Sequence, residues 1–189
     1  MTRAQRADAA RNRDRLLEVA SEAFARDGVD ASLEGIAKAA GVGVGTLYRH
    51  FPNRDALMEA VYRRNVDVLV GEADDLLANK PPAEALAEWM QRFVAYVATK
   101  RGLAVHLKTV MAADSELFTY SQERLNGTVR RLVAAAVESG EIRADVDPGD
   151  VLRALSGVCL ISDLPGWQDQ ARRISGLLMD GLRYGAGAG

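Results

Sequence analysis

Residues 32–51, SLEGIAKAAGVGVGTLYRHF, constrain the fold of this chain more than any other stretch. Ser32 can accept a hydrogen bond from a free amide at the start of a helix. Leu33, Ile36, Ala37 and Ala40 then recur with helical period and form one apolar face. Gly41 stands where that helix would stop, in the left-handed conformation that glycine enters without a Cβ penalty. Thr46 and Leu47 open a second short helical run, which ends at Phe51 ahead of Pro52. Two short helices joined by a tight, glycine-containing corner make a helix-turn-helix.

In that motif the second helix enters the major groove of DNA by its N-terminal part, and the first lies across the backbone. Leu47 and Phe51, four residues apart, belong to the core, which leaves Val44, Gly45, Thr46, Arg49 and His50 for the outer and groove-facing sides. Arg49 is the best base reader, because its fork matches guanine O6 and N7 bidentately. Thr46 can touch a phosphate or a thymine methyl, and Gly45, having no side chain, allows close approach to the groove.

The run IAKAAGVGVGTLYRHFPNRDAL resembles the DNA-binding signature of TetR-family transcriptional regulators. It has the Ile-Ala pair, the Ala-Gly-Val corner, Thr-Leu-Tyr-x-His-Phe, a short link and an acidic-Ala-Leu helix start. The resemblance covers residues from about 11 to 64 and implies an all-α chain. An N-terminal three-helix DNA-binding domain with the helix-turn-helix would be followed by a C-terminal helical domain for ligand binding and dimerisation. The corresponding boundaries are 1–8 for a flexible basic arm, 9–53 for the DNA-binding domain, 54–184 for the effector and dimerisation domain, and 185–189 for a flexible tail. It also implies that Tyr48, His50 and Arg54 contact phosphate. The start of the first helix, with Arg11 among Arg11, Arg13 and Arg15, would lie near the backbone. Two residues depart from the pattern. Gly35 lowers helix propensity by about 0.5–1 kcal/mol relative to Ala. Gly43 replaces the usual capping Ser of the recognition helix, a loss of a few tenths of a kcal/mol.

Composition matters mainly through its asymmetry. Arg3, Arg6, Arg11, Arg13 and Arg15 face only Asp8 and Asp14 in the first fifteen residues, whereas from residue 65 onward acidic side chains outnumber basic ones 17 to 13. A basic arm on an acidic body is compatible with a local nucleic-acid contact even at a net charge of -2. Cys159 is the only cysteine, which excludes an intrachain disulfide and a cysteine-rich metal site. Packing on an apolar helix face is its expected role. His50 and His106 are the only histidines, and no CxxC, HExxH, P-loop or EF-hand spacing occurs. The GVGVG run follows no strand, and the helix-turn-helix accounts for it. No catalytic constellation, metal site or cofactor is therefore expected. No run approaches 18 uncharged apolar residues and no apolar segment follows the arginine-rich start, so a cytoplasmic protein without signal peptide or membrane span is expected.

Beyond the motif the chain reads as a series of helices. The first runs from about Ala9 to Arg26, burying Leu16, Leu17, Ala20, Ala23 and Phe24, and stops at Gly28. Asn53 caps a fourth helix, which continues toward Leu77 with a break or bend near Gly71 and is the only rigid link to the body. A fifth helix spans Ala83 to about Lys100, with Gly102 separating it from a sixth at Leu103–Met111. A seventh starts at Asp114 or Ser115 and ends at Gly140. Asp147-Pro148-Gly149-Asp150 combines a cap, an N1 proline and an N3 acid at the start of the next, and a last helix follows Pro165. The family resemblance implies an effector cavity in this region and a four-helix dimer interface from the last two helices. Trp89, Met90, Phe93, Tyr96, Val97, His106, Lys108, Thr109, Met111 and Phe118 are the side chains best suited to line the cavity, for a small, largely apolar effector. Leu152, Leu155, Ile174, Leu177 and Leu178 are the expected anchors of the homodimer. The partners so implied are a palindromic double-stranded operator, a second copy of the chain and the effector. The alternative is a helical interaction protein of the same fold controlled by a protein partner.

Overall fold

A computed structural model describes residues 3–110, 116–160 and 166–185, and the described residues form an all-α fold. The helices are α1 (Arg3–Asp27), α2 (Leu33–Ala39), α3 (Val44–His50), α4 (Arg54–Asn79), α5 (Pro82–Val110), α6 (Glu116–Glu138), α7 (Pro148–Leu160) and α8 (Trp167–Arg183), with one 3-10 turn at Gly28–Asp30. The chain divides into two compact units. One takes the chain up to Asn65 plus a segment from Ala98 to Phe118; the other takes Val66–Val97 and the chain from Thr119 onward.

In the first unit, α1 presents Leu16, Leu17, Ala20, Ala23 and Phe24 to the core, all nearly or fully buried. They meet Leu33, Ile36, Ala37 and Ala40 of the α2 segment and Leu47 and Phe51 of the α3 segment. Removing a side chain such as Phe24 or Leu47 from water contributes about 1.5–3 kcal/mol each, so this three-helix head is held mainly by apolar packing. Leu57, Met58, Val61 and Tyr62 add the first turns of α4 to the same unit. Two helix ends are closed by local geometry. The Ser32 hydroxyl accepts from the Gly35 amide at 3.1 Å. Gly41 takes φ 71°, which lets Val42 N–H reach the Ala37 carbonyl at 3.0 Å and Gly41 N–H reach Lys38 at 3.1 Å, the paired bonds of a Schellman stop.

In the second unit, Val66, Leu69, Ala73 and Leu76 of α4 are buried, as are an apolar stripe of α5 and Leu125, Val129, Leu132 and Ala136 of α6. Trp89 is fully buried, and its indole N–H donates to the Leu69 carbonyl at 2.9 Å, which satisfies its one polar atom. Arg124 pairs with Asp67 at 3.0 Å and Arg131 with Asp74 at 2.6 Å. Both partners advance by seven residues, so α4 and α6 run in the same direction along this seam. Glu141, just past α6, accepts from the Ala83 amide at 3.2 Å and caps α5. Arg143 N–H then reaches the Leu182 carbonyl at 2.9 Å and ties the loop to the end of α8. Asp147 accepts from the Gly149 amide at 2.6 Å, the cap expected of the Asp-Pro-Gly-Asp start.

Three helix boundaries differ from expectation. α1 begins at Arg3, not Ala9, because Ala4, Gln5, Arg6 and Ala7 are all competent helix formers. α4 runs unbroken through Gly71 to Asn79; one exposed glycine costs only about 1 kcal/mol, which the packed turns on either side outweigh. Gly102 likewise does not split the next segment, and the fifth and sixth expected helices are one helix, α5; a single glycine costs a helix only about 1 kcal/mol. Because α5, like α4, supplies residues to both units, α4 is not the only helix they share.

Candidate nucleic-acid interface

α3 sorts its side chains into three stripes. Leu47 and Phe51 point inward, 0% and 3% exposed, and hold the helix on α1 and α2. Thr46 and His50, also four apart, are half-buried on one flank. Val44, Gly45, Tyr48 and Arg49 form a contiguous outer face, with Val44 and Tyr48 among the few large apolar side chains left in solvent. The outer face is what an approaching duplex would meet. Tyr48 is therefore not a core ring.

The start of α3 is closed by backbone alone. Gly43 takes an extended conformation and supplies no side-chain cap, while its carbonyl accepts from Thr46 N–H at 2.9 Å and Leu47 N–H at 3.2 Å. A Cβ at Gly43 or Gly45 would meet nothing within 4 Å. The motif tolerates the missing Ser because the packing of Leu47 and Phe51 holds the helix in place.

Three expected phosphate contacts look different in three dimensions. Arg54 sits half-buried at the start of α4, and its Nη1 donates to the Ala31 carbonyl at 2.8 Å, across the first turn of the motif. Beside it, Asn53 caps α4 by accepting from the Ala56 amide at 2.8 Å. Arg11 is exposed and paired with Asp8 one turn earlier on α1. The His50 Nε2 atom is enclosed and lacks a hydrogen-bond partner. Burial, reinforced by the Arg49 and Arg13 guanidinium groups, holds the imidazole below its ordinary range, so at neutral pH the ring is uncharged. A charge-assisted phosphate contact through Nε2 is thus not offered by this conformation.

Arg13, grouped with Arg11 and Arg15 in the sequence, is set apart by the fold: its guanidinium carbon stands 5.5 Å above the Phe51 ring centroid. A signal for the difference was available. Arg13 lies three and four residues before Leu16 and Leu17, so it continues the buried stripe of α1 toward α3, whereas Arg11 falls off that stripe.

The expected effector residues are brought together in part. Trp89, Met90, Phe93, Tyr96 and Val97 are all buried on α5, with ring centroids 5.7 Å apart for Trp89–Phe93 and again for Phe93–Tyr96. Trp89 has spent its N–H on Leu69 and can offer a ligand only an apolar face. Phe118 is half-buried near the start of α6. His106, Lys108 and Thr109 fall within α5, but their side chains lie outside the described residues, as does Met111 entirely.

The expected dimer anchors separate into two groups. Leu152 and Leu155 are 6% and 0% exposed and turn into their own protomer, where α7 packs on α8. Within one protomer Leu155 has no accessible surface to offer a second copy, and Leu152 has little. Ile174 and Leu178 are half-buried, and Leu177 is 70% exposed.

Among the described residues no helix is long and apolar enough to cross a membrane, and no group of three or more His, Cys, Asp and Glu side chains could hold a metal ion.

The resemblance to known proteins agrees with this architecture. Residues 16–61 match the family described as bacterial regulatory proteins of the tetR family. Residues 81–184 match the C-terminal domain of SbtR-like transcriptional regulators. The TetR transcriptional regulator SCO0520 of Streptomyces coelicolor is 44% identical, covers 90% of this chain and 98% of its own, and superposes with a TM-score of 0.82. A TetR regulatory protein of Mycobacterium vanbaalenii is 37% identical, with 95% and 99% coverage and a TM-score of 0.77. The transcriptional repressor KstR2 of Rhodococcus jostii is 31% identical over 143 residues, 71% of this chain and 70% of its own. The chain belongs to the TetR family of bacterial transcriptional regulators, and it is a DNA-binding regulator, not an enzyme.

Proposed function

We propose that the protein is a homodimeric repressor that binds a palindromic operator and is released from it by a small, largely apolar effector. The observation that carries the reading is the outer face of α3, where Val44, Gly45, Tyr48 and Arg49 stand together in solvent on a helix anchored by Leu47 and Phe51. Arg49 reads guanine in each half-site, Tyr48 braces the backbone, and Val44 with Thr46 offers methyl groups to thymine. A two-fold assembly explains why α8 leaves Leu177 exposed beside Ile174 and Leu178, since one protomer gains nothing by solvating an aliphatic stripe. The direction of control, repression, follows the relative from Rhodococcus jostii, a transcriptional repressor.

The effector half rests on the row Trp89, Phe93 and Tyr96 in α5, an apolar wall with a phenol at one end. Release requires that the effector bind the DNA-free conformation more tightly than the DNA-bound one, because equal affinity shifts no equilibrium. The test is selection of bound duplexes from a random pool with the full-length protein. Recovered sequences should share a palindrome whose half-sites carry a G·C pair at a fixed position. Recovery of no common sequence, or of a non-palindromic one, overturns the operator reading.

A further inference from the structure

α8 buries Ala171, Ser175, Met179 and Leu182 in its own protomer, and Leu177 stands in the middle of the opposite side, 70% exposed. At about 3.6 residues per turn, Arg173 and Asp180 fall about 40° and about 60° to one flank of Leu177, while Ile174 and Gly181 fall about 60° and about 40° to the other. Arg173, Asp180 and Gly181 are exposed and Ile174 is half-buried. A Cβ on Gly181 would meet nothing within 4 Å.

The charges of this stripe differ from their neighbours on the helix. Asp169 and Arg172 pair with each other at 3.0 Å, one turn apart. Arg173 and Asp180 stand two turns apart, about 10.5 Å along the axis, and among the described residues neither side chain makes an ion pair. An acid and a base thus flank the exposed leucine, before and after it, with nothing in the protomer to match them.

We propose that α8 carries a charge code for self-recognition: two copies cross antiparallel at Leu177, Arg173 of each facing Asp180 of the other, so that the chain pairs with an identical copy and rejects a different one. This pairing rests on the two-fold assembly proposed above and adds to it which side chains meet and what selects the partner. A two-fold axis at Leu177 turns height before the leucine in one copy into height after it in the other, and in an antiparallel pair the same flank of both helices meets. Arg173, four residues before Leu177, then lies level with Asp180, three residues after it, and symmetry makes the contact twice. On the other flank Ile174 comes over Gly181, whose open space receives it. Parallel helices would instead set Arg173 against Arg173 and Asp180 against Asp180, like charges that disfavour that arrangement. The apolar row supplies affinity. The charges decide register and partner, since a helix without a base and an acid at these two places leaves both unmatched.

The test is sedimentation of the full-length protein at micromolar concentration, with helix content followed by circular dichroism. The wild type should be a dimer. Arg173→Asp sets a carboxylate against Asp180 twice in each dimer, and Asp180→Arg sets a guanidinium against Arg173 twice. Each should raise the dimer dissociation constant by about tenfold or more, with helix content unchanged. Mixing the two variants should restore a dimer of one of each, in which every contact is again opposite in sign. The double variant, Arg173→Asp with Asp180→Arg, should pair with itself and not exchange with the wild type. Single variants as dimeric as the wild type, or a mixture no more dimeric than its components, overturns the code while the two-fold assembly stands. Loss of helix content in either single variant means that these side chains hold the protomer together, which overturns the code as well. A monomeric wild type removes both the code and the assembly.

Discussion

Arg54, the first residue of α4, donates from Nη1 to the carbonyl of Ala31 at 2.8 Å, and so ties the start of that helix to the entry of the helix-turn-helix. Ala31 itself is 1% exposed. The bond satisfies a carbonyl that would otherwise lie at the rim of the core without a partner. A residue read from the sequence as a phosphate clamp is thereby engaged inside the head.

Replacing Arg54 by Ala should cost about 1 kcal/mol of head stability, the usual net worth of one such bond. It should weaken DNA binding by loosening the motif, with the salt slope unchanged. Thermal unfolding together with a salt titration checks this; a slope lowered by one unit would return Arg54 to the phosphate role expected from the sequence.

Arg49 is exposed on the outer face of α3 and is the long bidentate donor there. Arg49→Ala should cost about 1–3 kcal/mol on the operator and relax preference at one position per half-site. Repeating the selection with the variant reads this directly. An unaltered consensus would show that another side chain does the base reading.

Gly43 caps α3 in an extended conformation with open space where a Cβ would stand. Gly43→Ser should therefore stabilise the head by a few tenths of a kcal/mol, roughly the margin between Gly and Ser at this position, without changing the consensus. A lower melting temperature in the variant would mean that the glycine is needed for something other than the cap.

Leu177 and Leu155 should behave oppositely. Leu177, 70% exposed, can become Glu with little loss of protomer stability, and the variant should sediment as a monomer that binds the operator weakly. Leu155, fully enclosed, should cost about 2–5 kcal/mol as Ala through the cavity it leaves, while the surviving folded protein remains dimeric. A Leu177→Glu protein that stays dimeric at micromolar concentration places the interface elsewhere.

What the amino-acid order settles on its own is local. Ser32, Gly41, Asn53, Asp147 and Gly140 each do in three dimensions what their position in the chain implies, because a cap or a left-handed stop depends on atoms within four or five residues. The fold class and the motif are legible for the same reason, the apolar period of α1, α2 and α3 being a property of short windows. The tertiary structure decided which of several equivalent side chains has a partner. Three arginines near the start of α1 look alike in the sequence. Only the packing of α1 on α3 stacks Arg13 on Phe51, while Arg11 is left to pair with Asp8. Likewise, an apolar stripe marks Leu155 and Leu177 equally, but one lies under α8 and the other in solvent. Gly71 shows the same: propensity weighs about 1 kcal/mol per residue, and the burial of Leu69 and Ala73 on its two flanks outweighs it.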